Sequence, residues 1–181
     1  MRSILCAGLL WLLLTDSIRA DQNDPRLDAL FQTMADAPSH QISSAAEQEI
    51  WSIWLAHADD DIQARFNAGV QAMDQDPALA LRLLTQLAAD AADFAEVWNK
   101  RATVYYLLGD YDASLTDIQR TLALEPRHFG AISGLGLIYL AQGEHELALG
   151  AFEAVLRLQP WSRATRENIR RLDNLLGRTT I

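Results

Sequence analysis

The side chains that could carry out chemistry are scattered along this sequence and do not form a catalytic pattern. The histidines lack metal-ligand spacing, and they are His40, His57, His128 and His145. The zinc helix H-E-x-x-H is absent because Leu149 stands four residues after His145, and no phosphate loop of the form G-x-x-x-x-G-K occurs. Carboxylates are numerous, yet the sequence pairs no two of them as acid and base. We therefore expect no catalytic residue, no metal and no cofactor.

The first twenty residues have the pattern of an export signal. Arg2 gives a positive start, residues 4–14 form a short apolar core, and Ala20 is the small residue at a cleavage site. That core is too short for the roughly 20 apolar residues of a membrane-spanning helix. Its Cys6 is the only cysteine, so the chain after Ala20 has no thiol chemistry. We predict a signal peptide at residues 1–20, cleaved near Ala20, and a periplasmic or secreted protein; a retained membrane anchor is the alternative.

The charge of the chain argues against nucleic acid as a partner. Acidic residues number 24 against 15 lysines and arginines, which gives a net charge of -9, whereas binding a polyphosphate needs clustered cations. One segment, residues 161–181, is basic and carries Arg163, Arg166, Arg170, Arg171 and Arg178. We interpret these arginines as a solvated helix face. Their docking to the acidic remainder of a second copy, giving a homo-oligomer, is the alternative.

The elements that must position any binding residue come from a repeat of 34 residues. The matching positions are Trp98 and Ile132, Ala102 and Gly136, Tyr105 and Tyr139, Gly109 and Gly143, Ser114 and Ala148, Ile118 and Phe152, Thr121 and Val155, and Pro126 and Pro160. Trp98, Ala102 and Tyr105 fall on one face of a helix. Gly109 suits the left-handed residue that ends a helix, and Pro126 interrupts the next one. Each copy is therefore predicted to be a pair of helices.

This period, with small, aromatic and proline positions in phase, resembles the tetratricopeptide repeat family. The resemblance implies an all-α fold, an α-solenoid of three helix-turn-helix repeats over residues 61–160. The repeats are a degenerate one at 61–94 and two clear ones at 95–128 and 129–162. In the degenerate repeat, a shift of 34 positions places Ala64, Ala68 and Gln71 on the packing face of the first helix. The three aspartates at 59–61 are expected to cap that helix.

Further helices are predicted on both sides of the repeats. Residues 21–60 are expected to form an N-terminal helical pair, whose second helix starts near Ser44 because Ser44 and Glu47 fit a capping box. We expect this pair to cover the open end of the stack, against the first repeat. Residues 161–181 are predicted to be a C-terminal capping helix that covers Phe152.

The resemblance implies recognition of another protein. Tetratricopeptide arrays bind an extended peptide or a helix in a concave groove lined by the first helix of each repeat. Carried over by position, the partner-binding residues of this chain are Arg65, Asn99, Thr103, Tyr106, Arg127, His128, Ser133 and Leu137. The family's clamp for a C-terminal carboxylate is incomplete, because Gly130 and Gly134 occupy basic positions of that clamp.

We accordingly predict a non-enzymatic interaction module, an adaptor or assembly factor. A self-associating structural protein of the cell envelope and an envelope hydrolase are the alternative functions. Two of the candidate residues also have a structural interpretation, in which Asn99 bonds within its own repeat and His128 only caps a helix.

Overall fold

The computed structural model describes residues 21–178, and these residues form nine α-helices and no strand. In chain order the helices are α1 (Leu27–Ala35), α2 (His40–Trp54), α3 (Asp60–Ala72), α4 (Pro77–Asp90), α5 (Ala95–Leu107), α6 (Tyr111–Leu124), α7 (Phe129–Ala141), α8 (His145–Leu158) and α9 (Arg163–Leu175). The all-α solenoid is confirmed. The predicted signal peptide, with Cys6, lies outside the described residues. Among the described helices, none is long and apolar enough to cross a membrane.

The pairs α3–α4, α5–α6 and α7–α8 form three successive helical hairpins, each joined by a short turn. The N-terminal caps accept backbone amide protons: Asp59 from Ile62, Asp76 from Leu79, and Asp110 from Ala113. Gly109 and Gly143 both have a φ of 78°, which lies in the left-handed region that residues with a Cβ atom rarely adopt. These caps and glycines confirm the predicted turns.

Small residues let the two helices of a repeat approach each other. A Cβ atom on Gly136 of α7 would lie 2.9 Å from the ring of Phe152 in α8. In the preceding repeat, the Ser114 hydroxyl of α6 donates to the Ala102 carbonyl oxygen of α5 at 2.8 Å. Ala102 and Gly136 are therefore the close-packing positions that the repeat pattern predicts.

Helix α3 is out of the predicted register by one residue. Ala68, expected at the helix crossing, is exposed, whereas Gly69 is buried. A Cβ on Gly69 would lie 2.9 Å from Leu84 of α4, the same relation that Gly136 has to α8. The prediction that Ala68 packs at the crossing is wrong.

The turn after α3 explains this difference. In the second repeat the amide of Asp110 bonds to the carbonyl of Tyr105, five residues back, across the left-handed Gly109. In the first repeat the amide of Asp76 bonds to the carbonyl of Ala72, only four residues back. Because the first turn is closed without a left-handed glycine, its first helix is displaced relative to a strict 34-residue period.

Helix α2 also differs from the prediction, because it begins at His40 and not near Ser44. Ser44 lies inside the helix, so the capping box with Glu47 is wrong. The start of α2 is held by α1, since the Ser43 hydroxyl donates to the Met34 carbonyl oxygen at 3.3 Å. A contact between neighbouring helices therefore overrides the local capping signal.

We call α1 and α2 the N-terminal hairpin, and it lies on the third repeat, not on the first. Phe31 and Trp54 of the hairpin form one buried cluster with Phe129 of α7 and Val155 of α8. The expectation that the hairpin covers the open end of the stack is wrong. The physical reason is that Trp51 and Trp54 of α2 pack against Phe129 on α7, whereas the exposed face of α3 carries only small and polar side chains.

Two further contacts hold the hairpin in this position. The amide of Gln22 donates to the Asp93 carbonyl oxygen at 2.6 Å, which ties the residues before α1 to the loop before α5. At the other end, the indole nitrogen of Trp161 donates to the Ala37 carbonyl oxygen at 2.9 Å. The hairpin thus connects the start of the second repeat with the chain that follows the third.

Helix α9 covers the last repeat as predicted. Leu172 is fully buried in one cluster with Leu149 and Phe152 of α8. The arginines of this helix lie on its exposed side, where Arg170 and Arg171 pair with Glu167. The apolar side of α9 therefore completes the core, and its basic side faces solvent.

Candidate partner-binding groove

Helices α5 and α7 face each other across a crevice, and α6 supplies its floor. A cavity of about 210 Å³ opens between them. It is lined by Asn99, Ala102, Thr103 and Tyr106 of α5, by Ser114 and Ile118 of α6, and by Gly130, Ala131, Ser133, Gly134 and Leu137 of α7. We call the surface between α5 and α7 the groove, and the part with this cavity its open end.

Five of the eight predicted partner-binding residues meet at the open end: Asn99, Thr103, Tyr106, Ser133 and Leu137. The first three are spaced four and three residues apart on α5, and the last two four apart on α7, so each set shares one helix face. Thr103 is exposed, Tyr106, Ser133 and Leu137 are half-buried, and Asn99 is buried. Their contact with a partner stays a prediction.

The N-terminal hairpin fills the opposite part of the groove. We call this filled part of the groove the closed end. Trp54 is 1% exposed and stacks on the His128 ring, with centroids 4.2 Å apart and planes within 11°. Trp51 meets the Phe129 ring edge to face at 5.2 Å. A Cβ on Gly130 would lie 2.7 Å from the far edge of the Trp51 ring. Only glycine therefore lets Trp51 approach α7 this closely.

A buried network of polar groups lies beneath these tryptophans. The Glu96 carboxylate is completely buried and accepts hydrogen bonds from His128 Nε2 at 2.8 Å and from Asn99 Nδ2 at 3.1 Å. The Lys100 ammonium lies 3.4 Å from the same carboxylate and 5.3 Å from the centre of the Trp51 ring. Each acceptor oxygen of Glu96 thus has donors, as a buried carboxylate requires.

This network determines the tautomer of a neutral His128 ring and the charge of Glu96. His128 Nδ1 accepts the amide proton of Ala131 at 3.1 Å, so a neutral ring carries its proton on Nε2 and donates it to Glu96. Burial alone raises the pKa of the Glu96 carboxyl, but the hydrogen bond from His128 and the charge of Lys100 outweigh it. The pKa of Glu96 therefore lies below its ordinary value, and the group is an anion at neutral pH.

The structural interpretation of Asn99 and His128 thus describes contacts that both residues make. Asn99 bonds to Glu96 within its own helix, and its side chain also lines the cavity. His128 is completely buried and caps α7. A partner cannot reach His128 while the N-terminal hairpin occupies the closed end.

Arg127 also serves the hairpin. Its guanidinium lies 4.3 Å from the centre of the Phe31 ring and pairs with Asp28 of α1 at 2.6 Å and with Glu125 at 3.0 Å. Arg65 lies elsewhere, on the first repeat, where it pairs with Asp61 at 3.4 Å and with Asp90 at 2.5 Å. The structure therefore does not bring Arg65, Arg127 or His128 to the cavity.

Sequence reasoning did not identify the floor of the cavity or its neighbour on α2. Ser114 and Ile118 come from the second helix of a repeat, which the family pattern assigns to packing. Gly130 and Gly134 are four residues apart on α7, a spacing that removes side chains from one helix face and could have indicated open space there. Trp51 carries no sequence signal for this groove, because its position depends on how the hairpin folds back.

The lining of the open end is uncharged and partly apolar. No charged residue is among those that line the cavity. Within residues 21–178, no three histidine, cysteine, aspartate or glutamate side chains come together as metal ligands would. The cavity combines an apolar floor with hydroxyl groups of Thr103, Tyr106 and Ser133 near its mouth, an arrangement suited to a neutral ligand segment.

Comparison with known proteins gives the family. A profile for the tetratricopeptide repeat matches residues 74–117 and 105–162. The chain is 35% identical over 158 residues to a TPR repeat-containing protein of Rhizobium etli, and the match covers 86% of this chain and 77% of that protein. It is also 26% identical to human superkiller complex protein 3 over 64% of this chain, but that match spans only 7% of the human protein.

Solved structures show the same fold at low sequence identity. A crystal structure of MamA has a TM-score of 0.60 and 18% identity, with 84% of each chain covered. The first TPR of Spaghetti (RPAP3), solved with a bound HSP90 peptide, has a TM-score of 0.61 and 20% identity over 64% of this chain and 93% of that domain. The tetratricopeptide repeat profile and the Rhizobium etli relative show that the chain belongs to the tetratricopeptide repeat family, and the solved structures show its fold.

Proposed function

We propose that this chain is a non-enzymatic interaction module that binds a segment of another protein at the open end of the groove, as an adaptor or assembly factor. The observation that carries the proposal is the cavity between α5 and α7, because it is open on a surface where the hairpin has already filled the other end. The domain of RPAP3 with its HSP90 peptide is a protein of this fold with a bound peptide.

We further propose that the protein acts outside the cytoplasm. The pattern of residues 1–20, with a positive start, a short apolar core and the small Ala20 at a cleavage site, supports export and cleavage. N-terminal sequencing of the protein from its source cells tests the cleavage: a chain that starts at Asp21 supports export with removal of the signal, and an intact Met1 opposes that removal.

The binding proposal is tested by capture of partners on the full chain, expressed in its source cells with a C-terminal affinity tag. Gly134→Leu is the test variant, because Gly134 lines the cavity and a leucine there would occupy it. Gly150→Leu is the matched control, because Gly150 is an exposed helical residue and a Cβ atom at this position would meet no other atom within 4 Å.

We expect the wild type and Gly150→Leu to capture the same proteins, and Gly134→Leu to lose them while its thermal unfolding stays close to that of the wild type. Capture that is equal for all three chains would contradict binding at the open end. Loss of capture in both variants would contradict it as well, since the exposed position would then matter as much as the cavity.

A further inference from the structure

We infer that the partner enters this cavity with one large, uncharged, apolar side chain, a phenylalanine or leucine in an internal segment, and not with an acidic side chain or a C-terminal carboxylate. This inference deepens the proposed function and rests on it. It concerns which part of a partner protein the open end recognises.

The size and floor of the cavity are the first argument. Its volume is about 210 Å³, and an apolar cavity of roughly 150 Å³ already holds a benzene molecule. Ile118 and Ala102, both 3% exposed, form the floor, and Leu137 forms one wall. A phenyl or isobutyl group therefore fits with apolar contacts around it.

The charges near the groove are the second argument. Lys100 is paired with Glu96 and lies against the Trp51 ring. Arg127 is paired with Glu125 and Asp28. Since these cations already have carboxylate partners within the chain, a ligand carboxylate would have to compete with them. An acidic side chain would also approach the buried anion Glu96.

The hairpin supplies the third argument, because it shows how the same groove receives a helix of this chain. Trp51 inserts its ring over Gly130, and Gly130 also lines the cavity. The closed end and the open end are therefore continuous. A partner segment would extend this interface by placing another large apolar residue in the cavity beside Trp51.

The hydroxyl groups near the mouth fit the backbone of such a segment. Thr103 is exposed, and Tyr106 and Ser133 are half-buried. The Thr103 hydroxyl donates its proton to the Asn99 carbonyl oxygen at 3.0 Å, so it can accept from a peptide N–H of the segment. The hydroxyls of Tyr106 and Ser133 can donate as well as accept, so the three groups together can satisfy the peptide groups on either side of the buried side chain. This arrangement needs no free chain terminus.

The test is a titration of the full chain with neutral amino-acid amides, followed by two-dimensional NMR of the backbone amides. The probes are N-acetyl-phenylalaninamide and N-acetyl-leucinamide, with N-acetyl-glycinamide and the anion N-acetyl-phenylalanine as comparisons. We expect the first two to shift Thr103, Ser133 and Gly134 saturably, with dissociation constants on the order of 1 mM, as suits ligands of this size. The glycine probe should produce no saturable shift, and the anion should bind at least about tenfold more weakly.

The glycine variants decide whether the cavity is responsible. Gly134→Leu should abolish the shifts, and Gly150→Leu should leave them unchanged. Absence of saturable shifts with the phenylalanine and leucine amides would overturn the inference, and so would equal binding of the anion. A chain that dimerises, with the dimer lost in Gly134→Leu, would also overturn it by showing that a second copy fills the cavity.

The result is separable from that of the capture experiment. If the amides do not bind but Gly134→Leu still loses its captured proteins, the groove binds a partner by other chemistry and only this inference fails. If the amides bind but no protein is captured through the open end, the cavity takes an apolar group and the proposed function fails.

Discussion

The closed and open ends of the groove lie on the same two helices but are built from different residues. At the closed end, Trp51 and Trp54 cover the buried network of Glu96 and His128. At the open end, glycines and hydroxyl-bearing side chains surround a cavity. The two tryptophans of α2 therefore complete the fold. The smaller residues beside them leave the space in which we propose that a partner binds.

The largest effect should come from removing the tryptophan at the centre of the closed end. Trp54→Ala should lower the free energy of unfolding by about 3–5 kcal/mol, because it deletes a fully buried aromatic side chain and leaves a cavity. Urea unfolding measures the loss. Tyr106→Ala is the comparison at the open end, where removal of the half-buried ring should lower the free energy of unfolding much less. Equal losses for the two variants would show that the ends do not differ in this way.

The buried anion should give the next largest effect, with a characteristic pH dependence. Glu96→Gln should cost about 2–3 kcal/mol at pH 7, because it removes the charge that accepts bonds from His128 and Asn99. Since folding lowers the pKa of Glu96 below its ordinary 4.5, the wild type gains this stability above pH 4.5. It loses the gain as the pH falls through the lower pKa of the folded state.

Urea unfolding of both chains between pH 3 and pH 7 measures this dependence. The difference between wild type and Glu96→Gln should shrink below about pH 4.5. The exposed Glu153→Gln is the control, and we expect it to change stability by less than about 0.5 kcal/mol at every pH. A difference that grows on acidification would contradict the assignment of Glu96 as an anion.

Two glycines of the same helix should respond with opposite sign to the same substitution. Gly130→Ala should lower stability by about 1–2 kcal/mol, because its Cβ would lie 2.7 Å from the Trp51 ring, which Trp54 and Phe129 hold in place. Gly134→Ala should raise stability by up to about 1 kcal/mol, since alanine favours the helix and its Cβ meets Ile118 at 3.4 Å. Thermal unfolding measures both. Destabilisation by Gly134→Ala would show that the open end is as tightly packed as the closed end.

The smallest effect should come from the predicted binding residue that lies outside both ends. Arg65→Ala should change the free energy of unfolding by no more than about 1 kcal/mol, because its ion pairs with Asp61 and Asp90 are exposed. It should leave partner capture unchanged. A loss of capture in a folded Arg65→Ala chain would extend the binding surface to the first repeat.

Much of the fold could be predicted from the sequence, because repeat signals are local. The left-handed Gly109 and Gly143 and the cap at Asp110 determine turns through their own backbone geometry. The register of α3 could not be predicted from a fixed period, since the turn at Asp76 closes without such a glycine. An average repeat length therefore does not predict the helix register where one turn has a different hydrogen-bond pattern.

The site was predicted in part, for a related reason. Asn99, Thr103 and Tyr106 were predicted by position from the resemblance to the repeat family, and the structure places them at one cavity. The position of the N-terminal hairpin depends on contacts between Trp54 and His128, which are far apart in sequence. No local pattern specifies such a contact. The hairpin therefore buries His128 and pairs Asp28 with the partly exposed Arg127, and the sequence indicates neither contact.

The central claim is that a partner meets the open end and not the closed end, and site-specific photo-crosslinking tests it most directly. The photoreactive residue p-benzoylphenylalanine would replace either Tyr106 or Trp51 in the full chain within its source cells, so that both probes stand on half-buried aromatic positions. We expect the probe at Tyr106 to form adducts with another protein and the probe at Trp51 to form none. Adducts from Trp51 alone, or equal adducts from both positions, would contradict the account.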